Sequence, residues 1–154
     1  MVRQLQPWHA NVKKRQVKAP KIYIRDSGLL HGLLELQSMD DLLGHPKLGA
    51  SWEGFALEQV LGIFGQDNAH FWATHAGAEL DLMVTFRGRR YGFEFKVGDA
   101  PGPTRSMRIA LSEGGRPVTA SNAWNRRCPP SSTGIGNKFS TPRLMLTKAR
   151  NLMK

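Results

Sequence analysis

The stretch from Ala78 to Lys96 constrains this chain more than any other. It reads Ala78-Glu79-Leu80-Asp81-Leu82-Met83-Val84-Thr85-Phe86, then Arg87-Gly88-Arg89-Arg90, then Tyr91-Gly92-Phe93-Glu94-Phe95-Lys96. Both flanks alternate with period two around a glycine-containing turn, which predicts an antiparallel hairpin. With Phe86 facing Tyr91, the register pairs Val84 with Phe93, Leu82 with Phe95 and Leu80 with Val97. Those residues form one apolar face. Asp81, Met83, Thr85, Gly92, Glu94 and Lys96 share the other, because alternate side chains point to opposite sides of a strand. In this register Asp81 stands opposite Lys96 and Met83 opposite Glu94.

Two carboxylates and an ammonium on one patch admit two readings. One is a salt-bridged sheet surface. The other is a metal-dependent phosphodiesterase site, in which two nearby carboxylates share Mg²⁺, a hard cation that prefers oxygen ligands. A lysine two residues beyond the second acid then reaches the scissile phosphate or the attacking water. An Asp followed at a distance by Glu-x-Lys is a degenerate pattern, so a third element has to decide.

The helix expected over Leu48 to Phe64 supplies it. On a helical wheel, Trp52, Ala56, Leu57, Val60, Leu61, Ile63 and Phe64 fill one broad arc, with Glu53 in its middle. Glu58 falls on the opposite side with Ser51, Gly54 and Gly62, and is expected to be solvated. An ionised glutamate inside a core-facing stripe is costly without a partner. A metal or Lys96 would be such a partner, so Glu53 is the candidate and Glu58 is not.

Residues 1–20 are basic and broken by Pro7 and Pro20, and are expected to be a connector, or the last ribbon of something upstream, with little core of its own. Their Lys13-Lys14-Arg15 cluster is either a solvated face or a phosphate-backbone contact. Lys21 to Arg25 is a short strand, followed by Asp26 and Ser27 as helix caps and a leucine-rich helix through Leu36. Asp26 is read as structural. Ser38 to Asp41 caps a further short turn, Asn68 to Thr74 is a strand, and Thr104 caps a helix through Leu111. His9, His31, His45, His70 and His75 show no metal-ligand spacing and are read as surface or loop residues.

Charge divides the chain. Residues 1–113 hold 14 Lys/Arg and 12 Asp/Glu, a net of +2, whereas residues 114–154 hold 8 Lys/Arg and no acid, giving the remaining +8. The basicity therefore belongs to the tail and says little about the rest. One cysteine, Cys128, gives no disulfide framework and suits a reducing cytoplasm. No long apolar run predicts a membrane span or a targeting segment. The expected division is a connector over 1–20, a domain over 21–115 and a basic, poorly packed tail over 116–154.

With Glu53, Asp81, Glu94 and Lys96 in that order, the chain resembles the PD-(D/E)xK, or restriction-endonuclease-like, superfamily. Within it, the chain looks like the C-terminal domain of a prokaryotic AAA+ ATPase family. The segments carrying the resemblance are Lys18 to Leu30, Gly49 to Phe55, Gly77 to Asp81 and Phe93 to Lys96, within residues 2–113. The resemblance implies an α/β fold, a small mixed sheet flanked by helices. It implies Glu53, Asp81 and Glu94 as Mg²⁺ ligands, Glu79 as a spare ligand, and Lys96 orienting water or stabilising phosphorane charge. Nucleic acid is the implied partner, and an ATPase domain is expected in full-length relatives. No Walker-type G-x-x-x-x-G-K-[ST] occurs here. The family domain also continues past the helix near Arg105 into another strand, which the acid-free tail is not expected to supply; the tail looks like replaced sequence. Three classes follow: a nuclease-like domain of an ATPase-associated protein, a non-catalytic nucleic-acid or protein-binding module, and an inactive gene fragment.

Overall fold

A computed structural model describes residues 1–8, 19–74, 77–98 and 104–112, together with the backbone of 116–122. The strands are β1 (Val2–Pro7), β2 (Lys21–Ile24), β3 (Ala69–Ala73), β4 (Glu79–Phe86), β5 (Arg89–Val97) and β6 (Arg116–Asn122). The helices are α1 (Ser27–Leu33), α2 (Met39–Gly44), α3 (Leu48–Phe64) and α4 (Arg105–Ala110). The strands form one mixed sheet in the order β2-β1-β3-β4-β5-β6. The β1–β3 and β5–β6 pairs are parallel and the other neighbours antiparallel. The molecule is thus an α/β domain, a mixed sheet flanked by helices, as the sequence predicts.

The central hairpin forms, but its register differs from the expected one. Phe86 pairs with Arg89, Val84 with Tyr91 and Leu82 with Phe93. The loop is only Arg87-Gly88, with φ of 50° and 73°. Two successive residues at positive φ are the condition for a type I′ turn, whose twist matches that of the flanking strands. The shorter loop slides the pairing by two residues. A two-residue slide keeps every side chain on its face, and it sets Leu82 opposite Phe93 where Phe95 was expected.

A bulge interrupts the alternation on β4. His70 pairs with Met83 but Trp72 with Leu80, so β4 carries one residue more than β3 between these pairs. Leu80 consequently leaves the face of Leu82 and Val84. It packs instead with Met83, Met107, Ala110 and Leu111, where α4 covers the sheet. On the opposite face, Ala56, Leu57, Val60, Leu61 and Phe64 of α3 pack on Leu5, Phe71, Leu82, Val84, Tyr91, Phe93 and Phe95. Gly92 lies under α4, where a Cβ would meet Leu111 Cδ1 and Leu80 Cδ2 at 2.8 Å.

Two segment boundaries need correction. Val2–Pro7 is not a connector: β1 lies between β2 and β3, and Leu5 is buried. The boundary expected at residue 115 falls inside the sheet, since Arg116 to Asn122 pair in parallel with Tyr91 to Val97. Period-two burial is weak evidence in so short a run, and pairing with a distant strand decides instead. The expectation of a poorly packed tail beyond residue 122 lies outside the described residues.

Caps fall where expected. Asp26 Oδ1 accepts from Leu29 N at 3.0 Å, Ser38 and Asp41 form a reciprocal capping box, and Thr104 Oγ1 accepts from Met107 N at 3.3 Å. The helix expected to reach Leu36 stops at Leu33. The histidines are less ordinary than expected: His31 Nε2 is 2.7 Å from the buried Ser51 Oγ, and His70 lies on β3 edge-on to Trp8. His9 and His75 lie outside the described residues. Among the described residues, no helix is long and apolar enough to cross a membrane.

Candidate functional site

The four candidate residues come from three adjoining elements: Glu53 from α3, Asp81 from the bulge of β4, and Glu94 and Lys96 from β5. They form two groups joined through Asp81.

The first group gathers where β2 meets α3. Glu53 Oε1 accepts from Tyr23 Oη at 2.5 Å and from Lys21 Nζ at 3.2 Å. Lys21 also forms an ion pair with Glu79, lies 4.0 Å from Asp81 Oδ1, and stands 5.5 Å from the centre of the Phe71 ring. Burial pulls the Lys21 ammonium down, but the Glu79 hydrogen bond and the charges of Glu53, Glu79 and Asp81 outweigh it and leave it above its usual value. Tyr23 is raised by burial and then by its bond to Glu53, so it remains a phenol that donates.

The second group lies at the N-terminus of α4. Glu94 is buried; its Oε2 accepts from Thr104 Oγ1 at 2.6 Å and its Oε1 pairs with Lys96 Nζ at 3.0 Å. Lys96 is raised, chiefly by that hydrogen bond; burial opposes it, and the charges of Glu94, Asp81 and Glu53 add to the rise. Thr104 therefore caps the helix and holds the acid with one hydroxyl.

Asp81 stands between the groups. Its Oδ2 accepts from Phe95 N at 2.7 Å. Burial pushes its carboxyl up to about 6; the Phe95 N–H opposes this, Glu53 adds to it, and Lys21 and Lys96 pull it down. An acid in that range exchanges its proton near neutrality.

Glu58 is the residue the sequence misjudged. It accepts from Arg3 Nη2 at 2.9 Å and from Arg25 Nε at 3.2 Å. Burial alone would raise it, but the two guanidiniums hold it below the usual carboxylate range. Glu58 is in fact less exposed than Glu53, at 14 % against 24 % of the side chain. Exposure does not separate the two glutamates; their partners do. The wheel also put Ser51 and Gly54 outward, yet both are buried, because α1 and β2 cover that side of α3.

The donor chemistry suits a hard divalent ion, but the arrangement does not. Among the described residues, no three His, Cys, Asp or Glu converge as a metal-holding group. Glu53 approaches from the helix on one face of the sheet, and Glu94 is held by the cap of the helix on the other. Each carboxylate is already met by an ammonium. Lys21 and Tyr23 were not among the sequence candidates. The signal was present, since Lys21-Ile22-Tyr23 alternates and puts both on one side of a strand, but no local pattern tells which helix faces them.

Residues 48–121 match the model of a family described as Domain of unknown function (DUF4143), and residues 1–40 that of Domain of unknown function (DUF8612). Among curated proteins, the chain is similar to "Uncharacterized protein Rv2008c" of Mycobacterium tuberculosis and "Uncharacterized protein Mb2031c" of Mycobacterium bovis. Each is 54 % identical over 111 residues, which cover 72 % of this chain and 25 % of the relative. The chain thus spans about a quarter of the length of the curated relatives it matches. No solved structure matches it significantly. The matched models span both halves of the sheet, β1–β2 and β3–β6, and the architecture they cover is a small α/β domain consistent in general form with a restriction-endonuclease-like fold.

Proposed function

We propose that this chain is a nuclease-like domain of an ATPase-associated protein, acting on phosphodiester bonds with Mg²⁺. The observation that carries the reading is Asp81: a half-buried carboxylate on a bulge, accepting from Phe95 N across the hairpin and within electrostatic reach of Glu53, Lys21 and Lys96. Bulges re-aim side chains next to active sites, and a perturbed acid between charged neighbours is a functional-site signature. In this reading Lys96 and Lys21 supply positive charge for a phosphate, and Asp81, near neutral pH, takes or returns a proton. Glu53, Asp81 and Glu94 offer the oxygens a hard ion prefers, and the ion would neutralise phosphate charge. As the carboxylates stand, they are committed to Lys21, Tyr23, Thr104 and Lys96.

The test is cleavage of single- and double-stranded nucleic acid by the purified chain with Mg²⁺ or Mn²⁺, compared with Glu94→Ala and Lys96→Ala. Both variants should lose cleavage. Wild-type protein that cleaves neither substrate with either ion ends the enzyme reading.

The internal ammonium–carboxylate pairs favour a second reading, a non-catalytic nucleic-acid-binding module. Removing Glu94 would then free Lys96 for phosphate and strengthen binding, most at low salt. An enzyme that needs Glu94 predicts no such gain together with retained function, so the two readings part on one pair of assays.

A further inference from the structure

We infer that Lys21 is the resident cation of the acidic cleft: its ammonium fills the place among Glu53, Glu79 and Asp81 where a divalent ion would otherwise balance the charge. A divalent ion enters only by displacing it. The inference rests on the nuclease-like reading for its importance but not for its geometry.

Three observations carry it. Lys21 Nζ is 3.2 Å from Glu53 Oε1, 4.0 Å from Asp81 Oδ1, and paired with Glu79, so one ammonium on β2 faces three carboxylates from two other elements, α3 and β4. Its strand is fixed, because Lys21 pairs with the buried Leu5 of β1, and its ammonium stands 5.5 Å from the centre of the Phe71 ring. The cleft still carries excess negative charge, two units with Lys21 in place and three without it. That excess would attract a second cation, while the ammonium blocks the shared position. Tyr23 adds a hydroxyl to the Glu53 oxygen that Lys21 uses, so that oxygen is doubly engaged. These contacts account for why the expected ligands do not gather: Glu53 and Asp81 each turn an oxygen to Lys21, while Glu94 is turned to Lys96.

The experiment is calorimetric titration of the full chain with MnCl₂ and MgCl₂, alongside Lys21→Met and Lys21→Arg. Lys21→Met keeps the length and the apolar stem and removes the charge; Lys21→Arg keeps the charge. Lys21→Met should bind Mn²⁺ about tenfold tighter or more than wild type, since an opposing charge within contact distance is gone. Lys21→Arg should stay near wild type. Equal affinity in wild type and Lys21→Met, or weaker binding by Lys21→Met, overturns the inference. Circular dichroism checks that Lys21→Met folds. Should it not, the wild-type Lys21 ammonium resonance decides: saturating Mg²⁺ should release it into fast solvent exchange, and bound Mg²⁺ with an unchanged resonance overturns the inference. Because the readout is binding, the two readings can fail separately. Tighter Mn²⁺ binding without cleavage retains the resident cation and ends the nuclease. Mg²⁺-dependent cleavage by wild type, with no gain in Lys21→Met, does the reverse.

Discussion

Asp81 costs the fold something. Its carboxyl is raised from 3.8 to about 6, so the folded state holds the proton more tightly than the unfolded chain. Stability contributed at this position therefore falls as pH rises from about 4 through 6, by roughly 2–3 kcal/mol in all. In metal-free buffer, Asp81→Asn should be more stable than wild type at pH 7.5 by that order, and equal to it below pH 4. Urea unfolding at the two pH values checks this; a destabilised Asn variant at pH 7.5 would show that the charge is welcome. Glu58 has the opposite sign. Arg3 and Arg25 lower its pKa, so its contribution is present above the unfolded value and is lost as pH falls through the folded one. Glu58→Gln should therefore lose stability at pH 7 and approach wild type under acid, as the same unfolding series would record.

At the scale of elements, α4 links packing to chemistry. Its Met107, Ala110 and Leu111 pack on Leu80 and Met83, and its cap, Thr104, holds Glu94. The helix can lie this close because position 92 has no side chain. Gly92→Ala places a methyl 2.8 Å from Leu80 Cδ2 and Leu111 Cδ1, both on buried side chains with little room to move. The expected cost is about 1–3 kcal/mol of overpacking. A melt that is unchanged would mean α4 shifts freely. Thr104→Val loses both the cap and the Glu94 bond, for about 1–2 kcal/mol, whereas Thr104→Ser should retain both. A Val variant as stable as wild type would show that neither hydroxyl bond contributes.

Across the whole molecule, the sheet is closed on its far side by β6, which arrives after the excursion through α4. Chains ending at residue 122 and at residue 115 differ by this strand. The shorter one should melt lower by about 5 °C or more, since β5 loses its parallel partner along seven residues, Tyr91 to Val97. Matching melts would mean that β6 adds nothing to the cooperative unit. Residues 123–154 carry only basic charge, so removing them should flatten the salt dependence of nucleic-acid binding, measured from 50 to 200 mM salt, without touching the acidic cleft.

The sequence by itself determined the local structure. Period-two alternation set both strands of the hairpin and the faces of Leu82, Val84, Phe93, Glu94 and Lys96, because a strand's side-chain period survives any even slide. Short oxygen-bearing caps placed the starts of α1, α2 and α4, and the apolar arc drew α3 from Leu48 to Phe64. What lies far apart in the chain was decided only in the tertiary structure. The type I′ turn chose the register, and β3 put the bulge at Asp81 by pairing differently above and below it. Val2–Pro7 and Arg116–Asn122 have little pattern of their own and became strands through partners about sixty and twenty-five residues away. A helical wheel knows one core direction, so it could not foresee that α3 is covered on a second side, where Arg3 and Arg25 meet Glu58, nor that Lys21 meets Glu53 inside the arc. Charges reach across space rather than along the chain, and the partner of each acid was therefore the last thing its own neighbourhood could tell.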